Sequence, residues 1–306
     1  MRSLSERQQR RSVLGGLFAA AALVSVGGVV NAAGAAGSSV RSPRRIVSIG
    51  SALTEMIYAL NAEAGLAGVD TTSLYPPAAR ALPNVGYARS LSAEGVLSLA
   101  PTQIVATEDA GPPAVLRQLE AAGIPVAILA ANHRFDGMLE RLSKIGEITE
   151  RSPAAAQLAQ SLRGDWAQVQ AQVASRTAVR RGKLPRVLFV LSHSISQVMV
   201  AGDTTSAQAM IEYAGARNAL TGVSGYKPLT PEAAVAAAPD IILGTEQGLQ
   251  AAGGVDGLLR LPGLIDTPAG RARRVMALEA TLLLGFGPRL PAAVRELDAA
   301  FAARMG

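Results

Sequence analysis

Residues 91–107, LSAEGVLSLAPTQIVAT, align without gaps on residues 229–245, LTPEAAVAAAPDIILGT. A Leu, a Ser or Thr, a Glu, an Ala-Pro pair and the following apolar run coincide. Further upstream, PRRIVSIGS at residues 43–51 resembles PRVLFVLSH at residues 185–193, and a Gly-Tyr pair occurs in both copies. Self-similarity at one large offset is typical of a duplicated domain and not of a solenoid of short repeats. The alternative is chance similarity between Ala-rich helices.

The first copy alternates short apolar runs with helical patterns. The runs predict strands at residues 44–50, 67–69, 103–107 and 125–130, and the patterns predict helices at residues 54–60, 94–99, 113–122 and 135–149. Ser51 or Thr54 is expected to cap the first helix. Strand–helix units of this length predict an α/β fold in which helices cover mainly parallel sheets.

Residues 152–181 have a different pattern, rich in Ala, Gln, Leu and Arg, with no proline after Pro153. They predict one long connecting helix, with Ser152 as its cap and Pro153 at its first helical position. The expected organisation is a leader at residues 1–36, an N-terminal lobe at 37–151, the helix at 152–181 and a C-terminal lobe at 182–306. Two similar lobes leave a cleft between them, which is the default ligand site.

Composition excludes several classes of protein. The chain has no cysteine, which excludes disulfides, thiolate metal sites, cysteine nucleophiles and a lipid-modified N-terminal cysteine. Its formal net charge is +6, and the basic residues after the leader are dispersed, which does not favour nucleic-acid binding. We find no nucleophile–base motif and no phosphate-binding loop, so we expect a protein that is not an enzyme. Its two histidines are too few for a zinc or manganese carrier.

The first residues are typical of an export signal. Basic residues up to Arg11 precede an apolar run at residues 13–30, and small residues follow it. This order predicts a cleaved signal peptide; the alternative is a membrane anchor. The Arg10 and Arg11 pair partly matches a twin-arginine signal, although the aromatic residue that often follows is missing.

Residues 44–70, RRIVSIGSALTEMIYALNAEAGLAGVD, followed by a Tyr-Pro loop, resemble the helical-backbone class of periplasmic substrate-binding proteins. These proteins serve ABC importers of siderophores, cobalamin and haem. TTSLYP, GYARSLSAEG and LSHS followed by AGDTTSAQAMI look most like the haem-binding branch. The resemblance implies a periplasmic haem carrier for an inner-membrane permease dimer and its ATPase. Because a Tyr-Pro loop also occurs in the cobalamin branch, cobalamin or a ferric siderophore is the alternative cargo.

The resemblance points to Tyr75 as the axial ligand of the haem iron; the alternative is a ring that packs on its lobe. A phenolate is a hard anionic ligand that suits ferric haem. Arg89 and Lys227, at matching places in the two copies, are the candidate cations near it, and they also suit the haem propionates. Related haem carriers commonly have Arg where Lys227 stands, and lysine gives no planar bidentate contact. For either cation, a solvated surface charge is the alternative.

Other residues are predicted to line the cleft. Tyr87 and Tyr226 either stack on a flat macrocycle or pack beneath the rim. His193, expected just after a strand at residues 187–191, is a candidate second iron ligand or a ligand to a second haem, and otherwise a strand-end residue bonded to backbone. His133 is a weaker candidate at the rim.

Glu94 and Glu232 are equivalent under the duplication. Each follows a Ser or Thr at a helix start, where a carboxylate favours the helix dipole. The resemblance implies that these two acids, one per lobe, pair with arginines of the permease dimer. We also expect small lobe movement on binding, because a long helix bends less readily than paired strands.

Overall fold

The computed structural model describes residues 44–130, 132–181, 183–194 and 197–305, with the side chains of residues 192–194 and 197 outside the description. The leader at residues 1–36 and its Arg10 and Arg11 pair lie outside these residues. Within them, no helix has the length and apolar character needed to cross a bilayer.

The N-terminal lobe is a parallel sheet with helices on both faces. The sheet order is β2-β1-β3-β4, with all three pairings parallel. Its strands are β1 Ile46–Ile49, β2 Leu66–Val69, β3 Gln103–Thr107 and β4 Val126–Leu129. Its helices are α1 Ser51–Ala59, α2 Ala93–Leu97, α3 Pro113–Ala121 and α4 Phe135–Ile148, with short 3₁₀ turns at Glu63–Gly65 and Pro77–Ala81.

A 28-residue helix, α5 (Ser152–Val179), links the lobes and confirms the predicted connection. Its buried residues recur along one stripe, as expected for a helix packed on a core: Ala155, Ala159, Leu162, Val169 and Val173. Arg151, and not Ser152, occupies the N-cap position, and no side chain caps this end. Ser152 and Pro153 begin the helix itself, so the predicted Ser152 cap is wrong.

The C-terminal lobe has a mixed sheet in the order β10-β9-β5-β6-β8, with β7 also on β5. Its strands are β5 Arg186–Ser194, β6 Gln197–Ala201, β7 Arg217–Asn218, β8 Tyr226–Pro228, β9 Ile241–Thr245 and β10 Val275–Leu278. Its helices are α6 Ser206–Tyr213, α7 Pro231–Ala237, α8 Glu246–Ala251, α9 Gly254–Leu259, α10 Pro268–Arg271, α11 Ala280–Leu284 and α12 Leu290–Met305.

The repeated sequences form matching structures. In each lobe a short helix (α2 or α7) leads into a strand (β3 or β9) that pairs in parallel with a central strand (β1 or β5). The copies differ after the central strand. The chain turns directly from β1 into α1, whereas β5 continues into an antiparallel hairpin with β6, so this sheet is not parallel throughout.

The first helix begins differently from the prediction. Gly50 occupies the N-cap of α1, and no side chain caps it. Thr54 is buried within the helix, and its hydroxyl lies 2.9 Å from that of Ser48 and 2.7 Å from that of Ser73. Neither Ser51 nor Thr54 is therefore a cap.

One apolar cluster spans both lobes. It contains buried side chains of α1, α4, α5, β5, α6 and α12, among them Met56, Leu142, Val169, Phe189 and Phe301. Two other clusters cover the opposite face of each sheet. The lobes therefore share a core on the side where α5 runs.

Candidate functional site

A buried polar network fixes the loop that carries Tyr75. Asp70, at the end of β2, accepts hydrogen bonds from the backbone N–H of Gly50 (3.0 Å) and the hydroxyls of Thr72 (2.6 Å) and Ser73 (2.7 Å). Asp70 is 1% exposed, and a buried carboxylate needs such donors to offset its desolvation. The network ties the start of the loop to the turn between β1 and α1.

Tyr75 belongs to the N-terminal lobe, and its ring lies against a residue of the C-terminal lobe. Its side chain is 40% exposed, and the peptide bond to Pro76 is cis. The guanidinium carbon of Arg289 lies 3.6 Å from the centre of the Tyr75 ring. This stacking brings a cation of the C-terminal lobe onto a tyrosine of the N-terminal lobe.

An ion pair between the lobes holds Arg289. Glu55, a buried residue of α1, accepts hydrogen bonds from the backbone N–H (3.0 Å) and Nε (2.9 Å) of Arg289. Burial raises the pKa of Glu55, and the charge and hydrogen bonds of Arg289 oppose that rise. Glu279 lies 3.8 Å from the same guanidinium and adds a second, weaker anion.

The Gly-Tyr pair of each copy has a conformational reason. Gly86 and Gly225 have φ values of 93° and 72°, in the region that favours glycine, so each turns the chain just before a tyrosine. Tyr87 is 48% exposed, whereas Tyr226 is half-buried and packs edge-on against Phe189. The repeated pair therefore gives one open and one sheltered ring.

Arg89 forms an ion pair within its own lobe. Its Nε and Nη2 donate to one oxygen of Asp109 at 2.9 and 2.7 Å. The hydrogen bond with Asp109 raises the pKa of Arg89. Burial acts to raise the pKa of Asp109, but hydrogen bonds from Thr107 and Arg89 outweigh it and lower that pKa.

The positive charge of Arg89, in the N-terminal lobe, affects Tyr226 of the C-terminal lobe. Burial raises the pKa of Tyr226, while a hydrogen bond with Ser206 and the charge of Arg89 act to lower it. Lys227 is exposed, and because it follows Tyr226 in β8, strand alternation directs it to the opposite sheet face. Arg89 and Lys227, which match in the sequence repeat, therefore have different surroundings.

The two histidines have different positions. His133 lies before α4, with its ring 5.6 Å from that of Phe286 in the C-terminal lobe and its buried Nδ1 without a hydrogen-bond partner among the described residues. Burial lowers the pKa of His133. The sequence predicts His193 just after a strand, but β5 continues to Ser194 and includes it, at a shift of register between Ser192 and Ser194. The His193 side chain lies outside the described part of the chain.

Glu94 and Glu232 occupy equivalent exposed positions. Each is the second residue of its helix, behind a capping hydroxyl: Ser92 accepts from Gly95 at 3.3 Å, and Thr230 accepts from Ala233 at 3.2 Å. Three residues on, Leu97 and Val235 are also exposed, at 36% and 46%. Residues three apart on a helix are neighbours, so each acid has an apolar residue beside it.

Sequence reasoning missed Glu55 and Arg289. One signal was available, because Glu55 interrupts the apolar run of α1 and is 6% exposed in the structure. A buried carboxylate requires a partner. The identity of that partner, 234 residues away, has no local signal.

The candidate site thus combines two exposed tyrosines, Tyr75 and Tyr87, with two arginines, Arg289 and Arg89. Aromatic rings and guanidinium groups are the chemistry that suits a flat, anionic molecule.

The chain is similar to periplasmic and substrate-binding proteins. The solved periplasmic heme-binding protein BhuT, in complex with two hemes, is 45% identical, with a TM-score of 0.80 over 86% of this chain and 99% of BhuT. The uncharacterized ABC transporter substrate-binding lipoprotein YvrC of Bacillus subtilis is 27% identical over 84% of this chain and 79% of its own.

A cobalamin-binding protein of Halobacterium salinarum is 28% identical over 66% of this chain; the match spans about half (53%) of that protein's length. The model of the periplasmic binding protein family matches residues 46–282. With the fold of two α/β lobes joined by one long helix, this match gives the conclusion: the chain belongs to the periplasmic binding protein family.

Proposed function

We propose that this protein binds haem in the cleft between its lobes, with Tyr75 as the iron ligand, and delivers it to an ABC importer. The observation that carries the proposal is an accessible tyrosine at the cleft, stacked on a cation that is fixed by a buried acid. Tyrosinate is a known haem ligand, and a fixed positive charge beside it stabilises the anion. The 45% identity to a heme-binding protein supports this ligand.

The two ends of the cleft suit different parts of haem. The iron would lie against Tyr75, and the propionates would meet Arg89 or an equivalent donor near Tyr226. Tyr87, exposed on the same wall as Arg89, would cover one face of the macrocycle. His193 remains a proposed second ligand.

A hemin titration tests this proposal. Wild-type protein should give a Soret band and high-spin charge-transfer bands typical of tyrosinate ligation. Tyr75→Phe should remove the charge-transfer bands while leaving the fold intact, because it deletes only the hydroxyl. Unchanged spectra in Tyr75→Phe would exclude Tyr75 as the ligand, and no Soret band in the wild type would exclude haem as the cargo.

Cobalamin is the second candidate, supported by the 28% identity to the cobalamin-binding protein. Cyanocobalamin should fail to displace hemin at equal concentration if haem is the cargo. Tight binding of cyanocobalamin by wild type and Tyr75→Phe alike would favour cobalamin as the cargo, since a corrin brings its own cobalt ligands.

We infer that the importer docks on Glu94 and Glu232. Both acids are exposed, one lies on each lobe, and each has an exposed apolar neighbour, Leu97 or Val235. Two equivalent patches suit a partner made of two equivalent subunits with basic groups. Replacement of both acids by alanine should abolish hemin-dependent growth without changing the hemin spectrum. Alanine at two exposed glutamates on α3 and α12, Glu120 and Glu296, is the matched control.

We also infer a periplasmic location, reached through the twin-arginine route. The Arg10 and Arg11 pair before an apolar run supports the route. Lysine at both positions should block export of the protein through that route and leave it in the cytoplasmic fraction. Full export of this variant would favour the general secretory route.

A further inference from the structure

Arg289 contacts Tyr75, but the proposed function gives it no contact with the ligand. We propose that Arg289, held by Glu55, is a positioning residue for Tyr75: it fixes where the iron ligand lies in the cleft and ties that position to the C-terminal lobe. The inference rests on the proposed function, because it concerns the tyrosine assigned to the iron.

Arg289 is held from several directions. The Glu55 carboxylate accepts hydrogen bonds from the backbone N–H and the Nε of Arg289, and Nη2 of Arg289 lies 2.9 Å from the same carboxylate. Nη2 also lies 3.4 Å from the hydroxyl of Thr281, at the start of α11. A planar guanidinium with partners along its edges has a defined orientation.

The approach of Glu55 depends on a glycine. A Cβ added to Gly287 would lie 3.2 Å from the Glu55 carboxylate carbon and from Oε1, closer than most real Cβ contacts. Gly287 thus lets the turn before α12 lie against α1. At this point α1 of the N-terminal lobe and the turn before α12 of the C-terminal lobe are in close contact, and Arg289 supplies a positive charge to that contact.

With its edges engaged, the guanidinium presents its face to Tyr75. The ring centre is 3.6 Å from Cζ, within the range of a cation–π contact. The backbone of Tyr75 belongs to the N-terminal lobe and its loop is fixed by Asp70, while its exposed ring rests on the C-terminal lobe. Both lobes therefore determine where the phenolic oxygen lies.

A positioning role for Arg289 differs from a direct contact between Arg289 and haem. A cation that contacts haem would contribute to affinity whether or not Tyr75 has its hydroxyl. A positioning residue contributes only through that hydroxyl. Removing a group that orients a metal ligand typically costs about 10–100-fold in affinity for the metal, which is the effect we expect here.

The test is a double-mutant cycle with Tyr75→Phe and Arg289→Lys, read by hemin affinity and by the charge-transfer bands. Lysine keeps the positive charge but lacks the planar guanidinium group and its parallel N–H donors. In the protein that retains Tyr75, Arg289→Lys should weaken hemin binding about 10–100-fold and shift the bands. In the Tyr75→Phe background the same change should have little further effect. Arg273→Lys, which alters an exposed ion pair with Asp256, is the matched control and should change neither.

Equal losses in both backgrounds would overturn the proposal and make Arg289 a direct haem contact. No loss in either would overturn it as well. If Arg289→Lys does not fold, as judged by circular dichroism, Glu55→Gln replaces it in the cycle; a band shift in the protein that retains Tyr75 supports the proposal, and unchanged bands and affinity refute it. Should Tyr75→Phe itself leave the wild-type spectrum unchanged, the ligand assignment fails first, independently of Arg289.

Discussion

At the two ends of the proposed cleft an arginine pairs with a carboxylate, but the two pairs differ in burial and in the lobes they join. At one end, Arg289 of the C-terminal lobe pairs with buried Glu55 of the N-terminal lobe. At the other, Arg89 pairs with Asp109 of its own lobe, and both side chains are about half exposed or more (62% and 46%). The first pair is built to hold a fixed geometry between lobes, and the second is free to exchange partners with a bound ligand.

The largest effect should come from breaking the buried pair. Glu55→Ala leaves Arg289 without its main anion, and loss of one partner of a buried pair typically costs about 3–5 kcal/mol. Urea denaturation followed by circular dichroism measures the change. The matched control is Asp256→Ala, which breaks an exposed pair with Arg273 and should leave the midpoint unchanged. A similar midpoint for Glu55→Ala and wild type would show that the pair between the lobes is dispensable for stability.

The two carboxylates should also give opposite pH dependence. The pKa of Glu55 is raised above its ordinary value of 4.5, so the folded state keeps a proton that the unfolded state loses. The contribution of Glu55 to the free energy of unfolding is therefore fully present below pH 4.5, and it is lost as pH rises from 4.5 through the raised pKa of the folded state. The pKa of Asp109 is lowered from 3.8, so its contribution is present above 3.8 and is lost as pH falls below that value.

Glu55→Gln and Asp109→Asn separate these two contributions. Measured from about pH 3 to about pH 7, the stability of wild type relative to Glu55→Gln should decline with rising pH, and that relative to Asp109→Asn should decline with falling pH. The Asp109 effect should be the smaller, because solvent screens its half-exposed side chain. Slopes of the same sign would contradict the contrast between the two ends.

Arg89→Ala should have a modest effect on stability and a visible one on the ligand. An exposed ion pair contributes about 1 kcal/mol or less, so the unfolding midpoint should move little. Hemin affinity should fall by up to about fivefold, the equivalent of about 1 kcal/mol, with the Tyr75 charge-transfer bands retained. Loss of those bands would mean that this end also controls the iron ligand.

Lys227→Ala should have the smallest effect. Lys227 matches Arg89 in the sequence repeat, but it follows Tyr226 in a strand and is directed to the other sheet face. Hemin affinity should therefore change less than in Arg89→Ala, as measured in the same titration. An equal or larger loss would show that the two walls act symmetrically after all.

Most of the fold could be predicted because its signals are local. Alternating apolar runs and helix start signals define β1, β3, α3 and α5 to within a few residues, and the repeat indicated two lobes. The sequence does not predict the antiparallel pairing of β5 with β6, because the residues between the two strands, Ile195 and Ser196, include no Gly or Asn of the kind that signals a hairpin. His193 was misplaced for the same reason.

The site was predictable only in part. Tyr75, Tyr226 and the paired glutamates follow motifs that are repeated or resemble a family. The pair that contacts Tyr75, Glu55 and Arg289, follows no such motif. The two residues meet only after both lobes have folded, and the sequence near one of them gives no sign of the other. Arg289, which stacks on the Tyr75 ring, is therefore a cation that the sequence did not indicate, and Arg89 and Lys227 remain predictions.

The apolar cluster that crosses from α1 to α12 has a consequence for how the duplicated halves depend on each other. Each half has an apolar face that is buried in the intact chain, because Met56 and Leu142 of the N-terminal lobe and Phe189 and Phe301 of the C-terminal lobe belong to the same cluster. Cut in the turn between α4 and α5, the chain would give two fragments, each with an exposed apolar face. The two fragments would associate through these faces and rebuild the shared core, at a rate that rises with fragment concentration.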